Sequence, residues 1–127
     1  MNTASDNEIR LKLLKLLEDE PRLTQREMKD RMGVSLGKIN YCISALTEKG
    51  MIRIDRFRKH PNKLAYMYRL TPKGLEELTK LTFSFLKIRL AEYEEIKSEI
   101  EALSSQIKRL APDMEYDMQL IDKLKRV

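Results

Sequence analysis

The sequence has very little of what metal sites, disulfides and cofactor chemistry depend on. Its 127 residues include one cysteine, one histidine and no tryptophan. Cys42 has no partner for an internal disulfide, which favours the reducing environment of the cytoplasm. His60 lacks other histidines or cysteines at ligand spacing, so we expect no metal site and no cofactor.

Long apolar runs are missing as well. No stretch of about 18 uncharged apolar residues occurs, so we expect no membrane span. The first six residues lack the basic and apolar regions of a signal peptide. We find no nucleophile beside a base, no glycine-rich phosphate loop and no catalytic pair of carboxylates. The sequence therefore predicts a cytoplasmic protein that is not an enzyme.

Charge is abundant and unevenly distributed. Residues 1–70 carry 15 Lys and Arg against nine Asp and Glu, whereas residues 71–127 carry 10 against 11. The net charge of +5 therefore belongs to the first half of the chain, which suggests a polyanion partner for that half. A solvated basic face is the alternative.

Capping signals divide the first half into three helices. Ser5 with Glu8 and Thr24 with Glu27 match the capping box, and Ser35 is a third candidate N-cap. A glycine suited to end the second helix leaves a three-residue turn before the third. Apolar residues at helical spacing predict the inward faces: Ile9, Leu13, Leu16, Leu17, Met28, Met32, Ile39, Cys42, Ile43 and Leu46.

A β-hairpin should follow these helices. Residues 51–56 alternate as a strand, the basic segment 58–63 is expected to be an exposed loop, and a second strand ends at Leu70. We expect Ile54, Tyr66 and Tyr68 to anchor the hairpin to the core. A helix-turn-helix with a β-hairpin behind it is a winged helix, and the basic loop is then its wing.

Thr71 and Pro72 should open a long helix that meets no stop before Pro112. Its apolar residues follow a heptad pattern whose phase continues to Leu124. A single helix cannot bury that seam, so we expect a homodimer; packing on its own domain is the alternative. The predicted dimer interface comprises Leu86, Tyr93, Ile96, Ile100, Leu103, Ile107 and Leu110.

These patterns predict a mainly α fold with a small β-hairpin. The winged helix-turn-helix domain would span residues 5–72 and the long coiled-coil dimerisation helix residues 73–111. Residues 112–127 would form a short amphipathic helix or a continuation of the coil.

The third helix should be the recognition helix, whose N-terminal part meets base edges in the major groove. Asn40 suits adenine, and Lys38 suits guanine or a phosphate. The outward-facing residues expected to contact DNA are Ser35, Leu36, Gly37, Lys38, Asn40, Tyr41 and Ser44.

Phosphate contacts are expected from two further places. The N-terminus of helix two offers Thr24, Gln25 and Arg26. The wing offers Arg56, Arg58, Lys59, His60, Asn62 and Lys63. The alternatives are plain capping for the first set and a merely charged tip for the second. Cys42 is expected to be a small core hydrophobe, with a redox switch as its alternative.

Two segments of the sequence carry a resemblance to a known family: RLTQREMKDRMGVSLGKINYCISALTEKGMIRI and YRLTPKGLEE. Together they resemble the MarR-like winged-helix transcriptional regulators, and within them the subgroup associated with bacterial exopolysaccharide loci. The resemblance covers Asn7 to Leu103. It implies a homodimer that binds operator DNA, and control of polysaccharide genes. Little sequence precedes helix one, so we expect the dimer to rest mainly on the C-terminal helix.

The sequence thus predicts a sequence-specific regulator of double-stranded DNA, acting as a homodimer on a pseudo-palindromic operator, with repression favoured. No feature supports a small-molecule effector. The alternative is a winged-helix protein–protein interaction module that does not recognise a DNA sequence.

Overall fold

The computed structural model describes residues 3–59 and 63–126, with all of their side chains except those of residues 3–5, 59, 63, 115 and 116. The order of helices and strands within these residues confirms the predicted mainly α fold with one hairpin. The elements are α1 (Thr3–Asp19), α2 (Gln25–Met32), α3 (Leu36–Glu48), β1 (Ile52–Lys59), β2 (Lys63–Leu70), α4 (Pro72–Leu110) and α5 (Glu115–Lys125). The chain divides into two compact units between Ser84 and Phe85, within α4.

The core of the N-terminal unit joins α1, α2, α3 and the hairpin. Most of the residues predicted to face inward are buried there, and Leu16, Met32 and Cys42 pack against the core from its edge. Leu14, which lies beside the predicted stripe of α1, is also fully buried. Each fully buried leucine stabilises the fold by about 1.5–3 kcal/mol, so this cluster fixes the helices that carry the candidate site.

Two of the three predicted N-caps are confirmed. The Thr24 hydroxyl accepts a hydrogen bond from the Glu27 amide at 3.1 Å, and the Glu27 carboxylate accepts one from the Thr24 amide at 3.0 Å. The Ser35 hydroxyl caps α3 by accepting a hydrogen bond from the Lys38 amide at 3.1 Å. The prediction for Ser5 is wrong because α1 already begins at Thr3, so that residue lies inside the helix.

The turn between α2 and α3 consists of residues 33–35. Gly33 has a φ of 67°, in the left-handed region that strains most side chains, and its amide donates to the Lys29 carbonyl at 2.8 Å. This short turn makes α2 and α3 a helix-turn-helix, as predicted.

The hairpin is longer than predicted. Its antiparallel ladder runs from Ile52 opposite Leu70 to Lys59 opposite Lys63, so Arg58 belongs to a strand and not to a loop. Continued pairing satisfies backbone N–H and C=O groups, which outweighs the weak strand preference of basic residues. The loop residues His60 and Asn62 lie outside the described residues.

Only the base of the hairpin is anchored to the core. Tyr68 and Ile52 are buried, as expected for Tyr68, but Ile54 and Tyr66 are 40% and 43% exposed. The prediction that these two anchor the hairpin is therefore wrong. They lie further along the ladder, away from the buried base of the hairpin.

Helix α4 starts where predicted and runs for 39 residues to Leu110. The Thr71 hydroxyl caps it by accepting from the Gly74 amide at 3.1 Å, and donates to the Gly50 carbonyl at 2.6 Å. The cap therefore also ties the start of α4 to the turn after α3.

In the C-terminal unit, α5 lies back along the end of α4. Lys125 pairs with Glu101 at 3.1 Å, and Lys108 with Asp122 at 3.9 Å. Met118 of α5 is buried. Of the two alternatives for residues 112–127, the structure has the separate short helix: α4 ends at Leu110, and α5 begins at Glu115. Among the described residues, no helix has both the length and the apolar character needed to cross a membrane.

Candidate nucleic-acid interface

An open cleft of about 1120 Å³ lies between the helix-turn-helix and the hairpin. We call it the wing cleft. The start of α2, the start of α3 and the middle of the hairpin supply its lining: Arg22, Thr24, Gln25, Arg26, Glu27, Leu36, Gly37, Asn40, Phe57, Arg58, Leu64, Ala65, Tyr66 and Tyr68. Residues from all three predicted DNA-contact sets therefore meet in one place.

The wing cleft is positively charged. Its described lining includes three arginines, Arg22, Arg26 and Arg58, against the single acid Glu27, whose carboxylate is engaged in the cap of α2. No ion pair involves Arg26 or Arg58 among the residues that the structure describes. The amides at the start of α2 add the positive end of a helix dipole. A phosphate backbone would meet a favourable potential along this side of the cleft.

A hydrogen-bonded chain crosses the cleft from one element to the next. The Asn40 side-chain amide donates to Gln25 Oε1 at 3.3 Å, and Gln25 Nε2 donates to the Tyr68 hydroxyl at 3.3 Å. Asn40 is exposed, Gln25 is half-buried and Tyr68 is buried. This chain of hydrogen bonds therefore links α3 to α2 and to the base of the hairpin.

The predicted outward face of α3 is divided between two sides of the helix. Leu36, Gly37 and Asn40 line the wing cleft. Lys38 and Tyr41 instead line a smaller pocket of about 420 Å³ between α1 and α3. Ser35 and Ser44 are exposed. The sequence could not separate these sides, because the helical period does not say where α1 crosses α3.

Lys38 is held on the α1 side of α3. Its ammonium lies 3.8 Å from an Asp6 carboxylate oxygen and 5.6 Å from the centre of the Tyr41 ring. Both contacts attract a cation. In this conformation the lysine contacts these two residues and does not point into the wing cleft.

The described wing residues that were predicted to contact DNA lie on the two strands of the hairpin. Arg58 lines the cleft, and Arg56 lies 5.9 Å from the centre of the Tyr66 ring. Lys59 and Lys63 are placed by their backbone at the end of the ladder. His60 and Asn62, also predicted to contact DNA, lie outside the described residues.

Arg22 and Phe57 are cleft residues that the sequence analysis missed. The Arg22 guanidinium lies 5.4 Å from the centre of the Phe57 ring, which joins the approach to α2 with β1. Such a cation–aromatic contact orders a long side chain that would otherwise be mobile. The local sequence signal is weak, since the two residues are far apart in the chain and only the fold brings them together.

Cys42 lies in the pocket between α1 and α3 and is half-buried. Burial raises the pKa of its thiol above the ordinary value, while the nearby Lys38 ammonium opposes that shift. The thiolate, which is the reactive form, is therefore disfavoured. Cys42 was expected to be a small core hydrophobe, and it packs against the core from its edge with part of its surface exposed.

Most of the predicted seam of α4 is exposed within the described part of the C-terminal unit. Leu86, Tyr93 and Leu103 are 52%, 57% and 61% exposed. Ile100 and Ile107 are 37% exposed each. These two share a helix face with the buried Ser104, on the side where α5 packs.

Comparison with known proteins identifies the fold. The family model described as winged helix-turn-helix DNA-binding matches residues 6–53, which span α1, α2, α3 and the start of β1. No curated protein matches this sequence. Solved structures do match, and their sequence identities of 17–23% to this chain show similarity of fold alone.

Two of these structures are described as transcriptional regulators, and a third is MarR. PcaV from Streptomyces coelicolor has a TM-score of 0.59 at 22% identity, over 86% of this chain and 79% of its own. BldR from Sulfolobus solfataricus has a TM-score of 0.53 at 23% identity, over 80% and 73%. MarR from Staphylococcus aureus has a TM-score of 0.53 at 17% identity, over 80% and 71%. The chain therefore has a winged helix-turn-helix fold similar to that of these regulators, and the DNA-binding family model matches it from within α1 to the start of β1.

Proposed function

We propose that this chain is a transcriptional regulator that binds a specific sequence in double-stranded DNA. The observation that carries the proposal is the wing cleft, where the start of α2, the recognition helix and a basic hairpin surround one open space. Leu36 and Asn40 would read bases, Gly37 would let the backbone of α3 approach them closely, and Arg22, Arg26 and Arg58 would hold the phosphate backbone. The family match over residues 6–53 supports the same function.

The regulator acts as a homodimer in this proposal. Apolar side chains along α4 and α5 are exposed in the single chain, and exposing so many of them to water is unfavourable. Pairing with a second copy would bury them. A two-fold dimer would recognise a pseudo-palindromic operator, with half-sites about one helical turn (~34 Å) or a multiple of it apart.

Repression is the simplest outcome of operator occupancy, because a bound dimer blocks polymerase. The resemblance to the exopolysaccharide-associated subgroup adds a class of target genes to the proposal. Selection of bound fragments from genomic DNA with the purified protein tests that part: enrichment of promoters of other genes alone would refute it.

A salt titration of duplex binding tests the central proposal. If three arginines of each protomer contact phosphates, the logarithm of the binding constant should fall with the logarithm of salt concentration with a slope of about −5 for a dimer. A protein–protein interaction module, which the exposed apolar seam would also suit, would show neither this slope nor a sequence preference. That result would replace the regulator with the module.

A further inference from the structure

We infer that Tyr68, a buried residue of the wing, positions Asn40 for base readout through Gln25. The inference rests on the proposed function, since it presupposes that Asn40 meets a base. It assigns a specificity role to a residue that would not itself touch DNA. The carrying observation is the hydrogen-bonded chain from Asn40 to Gln25 to Tyr68, with both donor–acceptor distances at 3.3 Å.

Tyr68 is the fixed end of this chain. Its side chain is 6% exposed and belongs to the hydrophobic core. Its backbone amide donates to the Pro21 carbonyl at 2.9 Å, which joins β2 to the segment that leads into α2. The hydroxyl therefore has a defined position, set by packing at the base of the hairpin.

Gln25 transmits that position to the recognition helix. A glutamine side chain has three rotatable bonds and, alone on a surface, would sample many rotamers. Here its Nε2 is held by the Tyr68 hydroxyl and its Oε1 accepts from Asn40, so both ends of one amide have partners. Tethering at two ends restricts both the place and the direction of the amide.

The direction matters for what Asn40 presents. An asparagine amide has two N–H donors and one carbonyl acceptor. Because one N–H of Asn40 is given to Gln25, the second N–H and the carbonyl oxygen remain for a partner outside the protein. Adenine in the major groove requires one donor and one acceptor from asparagine. The hydrogen bonds from Asn40 to Gln25 to Tyr68 leave this donor and acceptor available. They also restrict rotation of the Asn40 side chain, which would otherwise reduce the discrimination between bases.

The three residues belong to β2, α2 and α3, separated by 43 and 15 positions in the sequence. The position of the wing and the readout by α3 are therefore coupled through side chains. A change at Tyr68 should alter the preference at a single base pair and leave the phosphate contacts as they are.

Selection from a randomised duplex pool, followed by binding measurements, tests this inference. Asn40→Ala first identifies the base pair whose preference it abolishes. Tyr68→Phe, which keeps the ring and removes only the hydroxyl, should lower the preference at that same base pair by about two- to tenfold. Its salt slope and its preferences at other positions should match those of the wild type.

A double-mutant cycle separates positioning from a general loss of stability. In the Asn40→Ala background, Tyr68→Phe should cause no further change in preference, because the residue that it positions is gone. Tyr66→Phe removes a hydroxyl from the same strand without entering the chain, so any effect should fall on all sequences equally. An equal loss for all sequences with Tyr68→Phe, or an additive cycle, would overturn the inference.

Gln25→Glu provides a second variant. A carboxylate can accept from both the Tyr68 hydroxyl and the Asn40 amide, so the chain persists while a negative charge is added. This variant should bind all duplexes more weakly and keep its preference at the Asn40 base pair, whereas Gln25→Leu should lose that preference. Equal preference in the two variants would overturn the inference. If the wild-type protein selects no sequence at all, the proposed function itself fails, and that result is distinct from every outcome with Tyr68.

Discussion

The carbonyl oxygen of Met51 occupies the space that a Cβ atom on Gly74 would need. Gly74 lies in the first turn of α4, and the turn after α3 packs directly against its backbone. Gly74→Ala must therefore displace one backbone segment, and we expect a loss of about 1–3 kcal/mol in the free energy of unfolding. Thermal unfolding should show a melting temperature lower by roughly 4–11 °C.

The matched control is Gly37→Ala in α3. Nothing lies within 4 Å of the Cβ position there, and alanine is favoured over glycine in a helix by about 0.4–1 kcal/mol. This variant should be as stable as the wild type or slightly more so. Equal stability of the two alanine variants would show that the start of α4 can move away from Met51 at no cost.

Local chemistry explains which parts of the fold the sequence predicted. The cap at Thr24, the left-handed turn at Gly33 and the start of α4 at Thr71 each depend on residues within four positions of one another. The burial of the helix stripes follows from their period. These elements were predicted because the sequence contains the whole interaction.

The remaining features depend on pairs that are distant in sequence. The hairpin ladder begins with Ile52 opposite Leu70, 18 positions apart, and the burial of Met118 depends on α5 lying back along α4. The candidate site shows the same division. Its residue sets were predicted from position, but the chain that joins Asn40 to Tyr68 and the turn of Lys38 towards α1 follow from packing.

Cys42 should react slowly with iodoacetamide at neutral pH. Its raised pKa means that less thiolate is present in the folded protein than in the unfolded chain at the same pH. The pH at which the alkylation rate reaches half its maximum should therefore lie above that of the protein unfolded in urea. The same shift makes the folded state less stable as pH rises through the thiol pKa, since the unfolded chain ionises first.

Alkylation followed by mass spectrometry against pH, with and without urea, measures the reaction rate and the pH at which it reaches half its maximum. A folded protein that reacts as fast as the unfolded one would contradict the protected position of Cys42. Faster reaction in the folded state would favour the redox switch instead.

Arg58→Ala should weaken binding to all duplex sequences by a similar factor. The side chain lines the wing cleft with no ion-pair partner among the described residues, so it is available to a phosphate. Loss of one phosphate contact in each protomer should reduce the magnitude of the salt slope by about two for a dimer.

Lys15→Ala is the control for charge alone. Lys15 is exposed on α1, outside the wing cleft, and its removal changes the net charge by the same amount. Fluorescence anisotropy at several salt concentrations measures both slopes. If the two variants show the same slope, Arg58 acts through net charge and makes no specific phosphate contact.

Leu103→Asp should convert a dimer into a monomer. Leu103 is 61% exposed in the single chain and lies on the predicted seam, so α5 leaves most of its side chain uncovered. A dimer that buries it would have to bury an unpaired carboxylate from each protomer, which costs several kcal/mol. The dissociation constant should rise about a hundredfold or more, and sedimentation velocity at micromolar protein should show the change.

Ser98→Asp adds the same charge at an exposed position on the opposite side of α4 and should leave the dimer intact. A stable dimer with Leu103→Asp would move the interface to another face of the chain, whereas dissociation by both variants would indicate a general effect of charge on α4.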